Sequence, residues 1–132
     1  MVRGYIALAG VAASVAVTAV AATAADENVP KFSNLSAKPA RFCAKSSDKC
    51  ARTGTTIRFT ISTAAKVTGD IRPRKSNIYG YTEFRQRKFP AGANSVRLND
   101  NRLTTGRWTF RLLGLNSVGM SGPALVDLRV IR

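Results

Sequence analysis

Thr55-Thr56-Ile57-Arg58-Phe59-Thr60-Ile61-Ser62 alternates apolar and polar residues with a period of two. Successive side chains of an extended chain point to opposite faces, so Ile57, Phe59 and Ile61 share one side while Thr56, Arg58 and Thr60 share the other. One buried and one wet face is the pattern of an antiparallel strand. Arg107-Trp108-Thr109-Phe110-Arg111-Leu112 repeats it with Trp108, Phe110 and Leu112 inward, and Val126, Leu128 and Val130 alternate with Asp127 and Arg129. Weaker versions predict strands around 32–37, 66–74, 79–88 and 95–99. Turn chemistry separates them at Gly54, Gly80, Pro90-Ala91-Gly92, Asp100-Asn101, Gly106, Gly119 and Gly122-Pro123. No stretch after residue 25 has a 3.6-residue period. Six or seven short strands over about 100 residues predict an all-β antiparallel sandwich.

The N-terminal quarter reads differently. Arg3 precedes an apolar run from Ile6 to Val20, and Ala22-Thr23-Ala24-Ala25 places small residues where a signal peptidase cuts. Residues 1–25 are therefore expected to be a signal peptide with a helical apolar segment, 26–31 a flexible leader, and 32–132 the β-sandwich domain. No Cys lies near the cleavage site to accept a lipid. The expected product is secreted and extracellular, free or associated with the cell wall, with no integral membrane span after cleavage. Of 132 residues, 21 are Lys or Arg and 7 are Asp or Glu, a formal charge of +14. Cleavage removes Arg3 and no acid, leaving +13 on 107 residues. In an oxidising compartment the even pair Cys43 and Cys50 is expected to form a disulfide closing a short local loop.

Several short elements resemble the immunoglobulin-like and fibronectin type III-like modules of exported proteins from GC-rich bacteria. They are Phe32-Ser33-Asn34-Leu35-Ser36, Phe42-Cys43, Gly54 to Val67, Ala91-Gly92-Ala93-Asn94-Ser95-Val96-Arg97-Leu98 and Leu103-Thr104-Thr105-Gly106-Arg107-Trp108. The last is similar to the corner preceding a late strand, with Thr105 in place of Pro and Trp108 in place of Tyr. The family's acidic turn appears as Asn116-Ser117-Val118-Gly119-Met120, which lacks the carboxylates of a calcium site. The resemblance implies a noncatalytic module for adhesion or cell-surface association, with about seven strands.

The absence of His removes imidazole catalysis and imidazole metal ligation, and two thiols alone cannot complete a tetrahedral zinc site. No catalytic residue, metal ligand or cofactor is expected. A carboxylate enzyme would require two of Asp48, Asp70, Glu83, Asp100 and Asp127 to meet in a pocket. Trp108 and Phe110 are expected in the core, whereas Tyr79 and Tyr81, flanking Gly80, are candidates for exposure.

The usual strand order of such a sandwich places the strands containing 66–74, 79–88, 107–115 and 124–131 in one sheet. Their outward positions then gather Arg72, Arg74, Arg85, Arg87, Arg107, Arg111 and Arg129 beside Lys66, opposed by Asp70, Glu83 and Asp127. This face is the candidate polyanion-binding site. Its partner would be an anionic cell-wall polymer, an acidic polysaccharide or an anionic membrane surface; nucleic acid is not favoured, because no reading motif is present. The same arginine excess also follows from GC-rich codon usage and from the charge that keeps strand surfaces apart. The alternative function is an inhibitor or extracellular protein-binding partner that uses the loops at 43–50 and 75–80.

Overall fold

The computed structural model describes residues 28–47, 50, 52–75 and 80–132. The signal-peptide region lies outside the described residues, as do leader positions 26–27. Eight strands follow in order: β1 (Phe32–Lys38), β2 (Arg41–Cys43), β3 (Thr55–Ile61), β4 (Ala65–Pro73), β5 (Tyr81–Phe89), β6 (Gly92–Leu98), β7 (Gly106–Leu115) and β8 (Ala124–Ile131). They form a three-stranded sheet, β1-β3-β6, and a five-stranded sheet, β2-β8-β7-β4-β5. The chain is all-β among the described residues, with one strand more than the alternation predicts. The addition is β2, three residues long, which pairs parallel with β8. Three residues cannot display a period, so β2 is invisible to a pattern search.

The alternating residues meet between the sheets. Ile57, Phe59 and Ile61 of β3 are buried, as are Val67 and Ile71 of β4, Trp108, Phe110 and Leu112 of β7, and Leu128 and Val130 of β8. Burying each such side chain contributes about 1.5–3 kcal/mol. Phe59 joins the layers: its ring makes edge contacts with Phe32 at 5.7 Å and with Phe89 at 5.2 Å. The two sheets thus share one core in a sandwich-like arrangement. On β4, Gly69 lets two rings close over the backbone. A Cβ there would lie 2.6 Å from the Phe84 ring and 2.9 Å from that of Phe110.

Trp108 ties down the turn that leads into β7. Its Nε1–H donates to the Thr104 carbonyl at 2.8 Å, tying β7 to the loop that precedes it. An indole has one donor and, when buried, needs one acceptor, so the exchange satisfies both groups.

The packed domain starts before β1. Pro30 is buried, the Lys31 N–H donates to Ser62 Oγ at 2.9 Å, and the Ser62 N–H donates to the Lys31 carbonyl at 3.0 Å. Cys43 and Cys50 form the expected disulfide with their Cα atoms 6.2 Å apart, closing part of the β2–β3 connection.

Candidate functional site

The four strands expected in one sheet are neighbours in it, as β8-β7-β4-β5. Buried residues alternate along β4 and β7, so Lys66, Thr68, Asp70 and Arg72 project outward from β4, and Arg107, Thr109, Arg111, Leu113 and Leu115 from β7. Cross-strand pairing then arranges this outer face in rows.

The row at one end of the sheet is entirely arginine. Arg107 stands directly opposite Arg129, and Arg129 is paired with Arg41 of β2. Arg74, one residue beyond β4, extends the row by donating its backbone N–H to the Arg107 carbonyl at 3.0 Å. Arg41 of β2, Arg129 of β8, Arg107 of β7 and Arg74 just past the end of β4 therefore lie side by side across four neighbouring chains of the sheet. Neighbouring strands are about 4.8 Å apart, so the row spans about 14 Å. All four residues are exposed. Like charges directly opposite each other destabilise a sheet, here without compensation for most of the row. Arg74 has a loose ion pair with Asp127 at 3.8 Å; Arg41, Arg107 and Arg129 have no carboxylate partner among the described residues.

The next rows are better balanced. Arg72 is opposite Thr109, and Thr109 is opposite Asp127. Asp70 is opposite Arg111 and accepts from both its Nε at 3.1 Å and its Nη2 at 2.7 Å. Arg111 is therefore on the expected face but already neutralised.

β5 departs from the expected alternation. Its register with β4 shifts twice, once between Asp70 and Gly69 and again between Gly69 and Val67, and Gln86 takes a positive φ of 48°. Each inserted residue reverses which side the following side chains take. Arg85 and Gln86 fall within the second shift, where the Gln86 N–H donates to Thr68 Oγ1 at 3.1 Å, and Arg87 comes opposite Val67, a core residue. The Arg87 guanidinium rests 5.1 Å from the Phe89 ring centroid, at the sheet edge. Arg87 is thus removed from the expected face, and Glu83 leaves it as well. Arg41 joins it, a residue missed because β2 has no sequence signature.

Glu83 instead meets Asp100. Arg102 clamps Asp100 through Nε–H to Oδ1 at 2.9 Å, Nη2–H to Oδ2 at 2.8 Å and its backbone N–H to Oδ1 at 2.9 Å. The same guanidinium lies 4.1 Å over the Tyr81 ring, which in turn stacks on Trp108. Tyr81 therefore faces inward; Tyr79 lies outside the described residues. Arg102 holds the Asp100 carboxyl down at about 2. Burial, then the hydrogen bond to Asp100 and its charge, push Glu83 up to about 8. At neutral pH Glu83 thus keeps its proton beside an ionised Asp100.

Two acids do converge, as a carboxylate enzyme requires, beside an open cleft of about 660 Å³ bordered by Lys45, Ser46, Thr53 and Asn99. Their arrangement does not suit glycoside cleavage, which needs carboxyls about 5 Å or more apart across the sugar. Here the two are coupled to each other, and Asp100 is further occupied by Arg102. Asp48 lies outside the described residues. No group of three or more acids and Cys poised to hold a metal occurs among the described residues.

Trp108 and Phe110 are in the core, at 3% and 0% exposure, which leaves neither ring for stacking on a sugar. The loops at 43–50 and 75–80 lie partly outside the described residues. Compared with known proteins, the chain matches no protein-family model and no curated sequence.

Proposed function

We propose that this protein is an exported, noncatalytic immunoglobulin-like or fibronectin type III-like module that associates with the cell surface by binding a linear polyanion. The observation that carries the reading is the lateral row of Arg74, Arg107, Arg129 and Arg41. Guanidinium groups are flat, permanently charged forks that match carboxylate, phosphate and sulfate oxygens in pairs. A row of them repeating at the strand spacing presents charge along a line, the form in which an acidic wall polymer or polysaccharide carries its own. Binding such a polymer also relieves the repulsion within the row.

The strand order supports the family reading. An immunoglobulin or fibronectin type III sandwich packs its first, second and fifth strands against a sheet that runs from the last strand inward. With β2 taken as a continuation of the first strand, β1-β3-β6 and β8-β7-β4-β5 follow that arrangement. The Trp108 to Thr104 bond plays the part of the tyrosine corner. The disulfide supports export, since such bonds persist in oxidising compartments. Among the described residues no helix is long and apolar enough to cross a membrane.

The test is retention on immobilised heparin and on isolated wall polymer across a salt gradient, using protein secreted by its expression host. Changing Arg41, Arg74, Arg107 and Arg129 together to Ala is expected to lower the slope of log affinity against log salt by about 3–4. A control that removes four charges elsewhere, at Arg58, Arg85, Arg87 and Lys88, should lose much less. Equal losses in the two variants would reduce the row to a share of the net charge and refute the assignment.

A further inference from the structure

Among the described residues, the exposed large apolar side chains are Leu115, Val118, Met120 and Leu125. The first three sit at the β7–β8 hairpin, at the opposite end of β7 from the arginine row. From Arg107 to Leu115 is about 26 Å along an extended strand. The tip is held in shape. Asn116 Oδ1 accepts the N–H groups of Val118 at 2.9 Å and Gly119 at 3.1 Å, and the Asn116 N–H donates to the Gly119 carbonyl at 3.1 Å. Leu115 and Met120 close it as a bridged pair. Val118 and Met120, at 49% and 63% exposure, are thus presented by an ordered turn.

Cations surround the tip. Lys66 is opposite Leu115 on one side and Lys88 on the other, and Arg87 is next along β5. No Asp or Glu occurs in 61–69, 84–92 or 112–126; the fourth segment at this end is 28–30, whose Asn28 carbonyl accepts from Asn116 Nδ2 at 2.6 Å and whose Val29 lies beside Gly119, and it follows Asp26-Glu27 in the sequence. A cleft of about 380 Å³ beside the tip joins the two chemistries, with Phe89, Ala65 and Leu115 as apolar wall and Lys66 and Lys88 at its border.

We infer that the β7–β8 hairpin is a membrane-contacting tip that inserts Val118 and Met120 into the surface of an anionic bilayer, with Lys66, Lys88 and Arg87 against the lipid headgroups. Apolar side chains flanked by long cationic ones match the layering of an acyl region beneath a negative headgroup plane. The cleft lies beside the turn and does not enclose Val118 or Met120, whose exposure favours a deformable surface over a preformed protein site. The inference does not depend on the polyanion reading: the arginine row is held away from the bilayer and remains free.

Co-sedimentation with vesicles of phosphatidylglycerol and phosphatidylcholine, against vesicles of phosphatidylcholine alone, tests it on the secreted protein. Val118→Asp with Met120→Asp is expected to lower partitioning into the anionic vesicles about tenfold or more, whereas Arg107→Ala with Arg129→Ala leaves most of it. In a second measurement, Val118→Trp should shift its emission to the blue on adding anionic vesicles and not neutral ones. Unchanged partitioning of the Asp variant, or an unmoved emission from the Trp variant, overturns the inference. So does sedimentation showing that the hairpin variants abolish a dimer, since a second copy would then be what covers the tip. Absence of heparin binding by the unaltered protein, with hairpin partitioning intact, would count against the arginine row alone.

Discussion

Replacing Glu83 by Gln tests the most unusual electrostatic feature of the domain. The Glu83 side chain is 14% exposed and its Oε1 is buried with no hydrogen-bond partner. Its carboxyl is raised from 4.5 to about 8, mainly by burial and then by hydrogen bonding to Asp100. Between those values the folded protein keeps a proton that the unfolded chain has lost, so stability falls as pH rises from about 4.5 to 8 and levels off above. The full rise is equivalent to about 5 kcal/mol. Water in the adjoining open cleft and the half-exposed Arg102 screen the charge, which reduces the expected loss to about 2–3 kcal/mol. Gln keeps a donor toward Asp100 and has no proton to lose. Urea unfolding at pH 5 and pH 8 should show the wild type losing about 2–3 kcal/mol between the two, while Glu83→Gln is nearly flat and becomes the more stable protein at pH 8. A variant whose stability falls as steeply as the wild type would refute a protonated Glu83 as the source. Asp100 has the opposite sign: its stabilisation is lost as pH falls from 3.8 towards about 2.

Other substitutions report on the fold and the row separately. Trp108→Phe leaves the Thr104 carbonyl without its indole donor and removes part of a packed ring, and should cost about 1–3 kcal/mol in urea unfolding without altering heparin retention. Gly69→Ala pushes a methyl group against the Phe84 and Phe110 rings, which should lower stability by about 1–3 kcal/mol and be recovered in part by Phe84→Leu. Arg129→Gln removes the charge flanked on both sides by arginine, so thermal unfolding at low salt should show a gain of about 0.2–1 kcal/mol that disappears at high salt, while heparin retention falls.

Alternation was sufficient wherever a strand was long and regular. β3 and β7 were legible residue by residue, including Trp108 and Phe110 as core, because one face of each packs on the opposite sheet. β2 was not, since its pairing with β8 is a tertiary event fixed by where the chain crosses between sheets. The larger gap was on β5. Tyr81, Glu83, Arg85 and Arg87 have the same parity in the sequence and do not share a face in the structure, because the two register shifts are set against Gly69 and Thr68 on another strand. The candidate face was therefore right in its sheet but differed in membership: Arg87 and Glu83 left it and Arg41 entered. The Asn116 turn, read from the sequence as missing a calcium site, instead presents two apolar side chains. The charge of the hairpin's surroundings depends on pairing between β4, β5 and β7, which no single segment contains.

Arginine supplied by codon usage alone carries no preference for position relative to the acids. On this face the acids are concentrated away from the outer row: Asp70 is taken by Arg111, and Asp127 lies one row in, shared between Thr109 and Arg74. The outermost row is left with two directly opposed arginine pairs, Arg107 with Arg129 and Arg129 with Arg41. One residue at any of these sites could relieve the repulsion, and exposed strand positions tolerate Thr, Gln or Glu readily. A solubilising surface needs charge but not this register, because scattering the same residues keeps strand edges apart equally well. The row is therefore best understood through what it can hold. On the proposed reading, the repulsion within the row and an affinity for a line of anions would have the same origin, so a substitution that relieves the first should weaken the second.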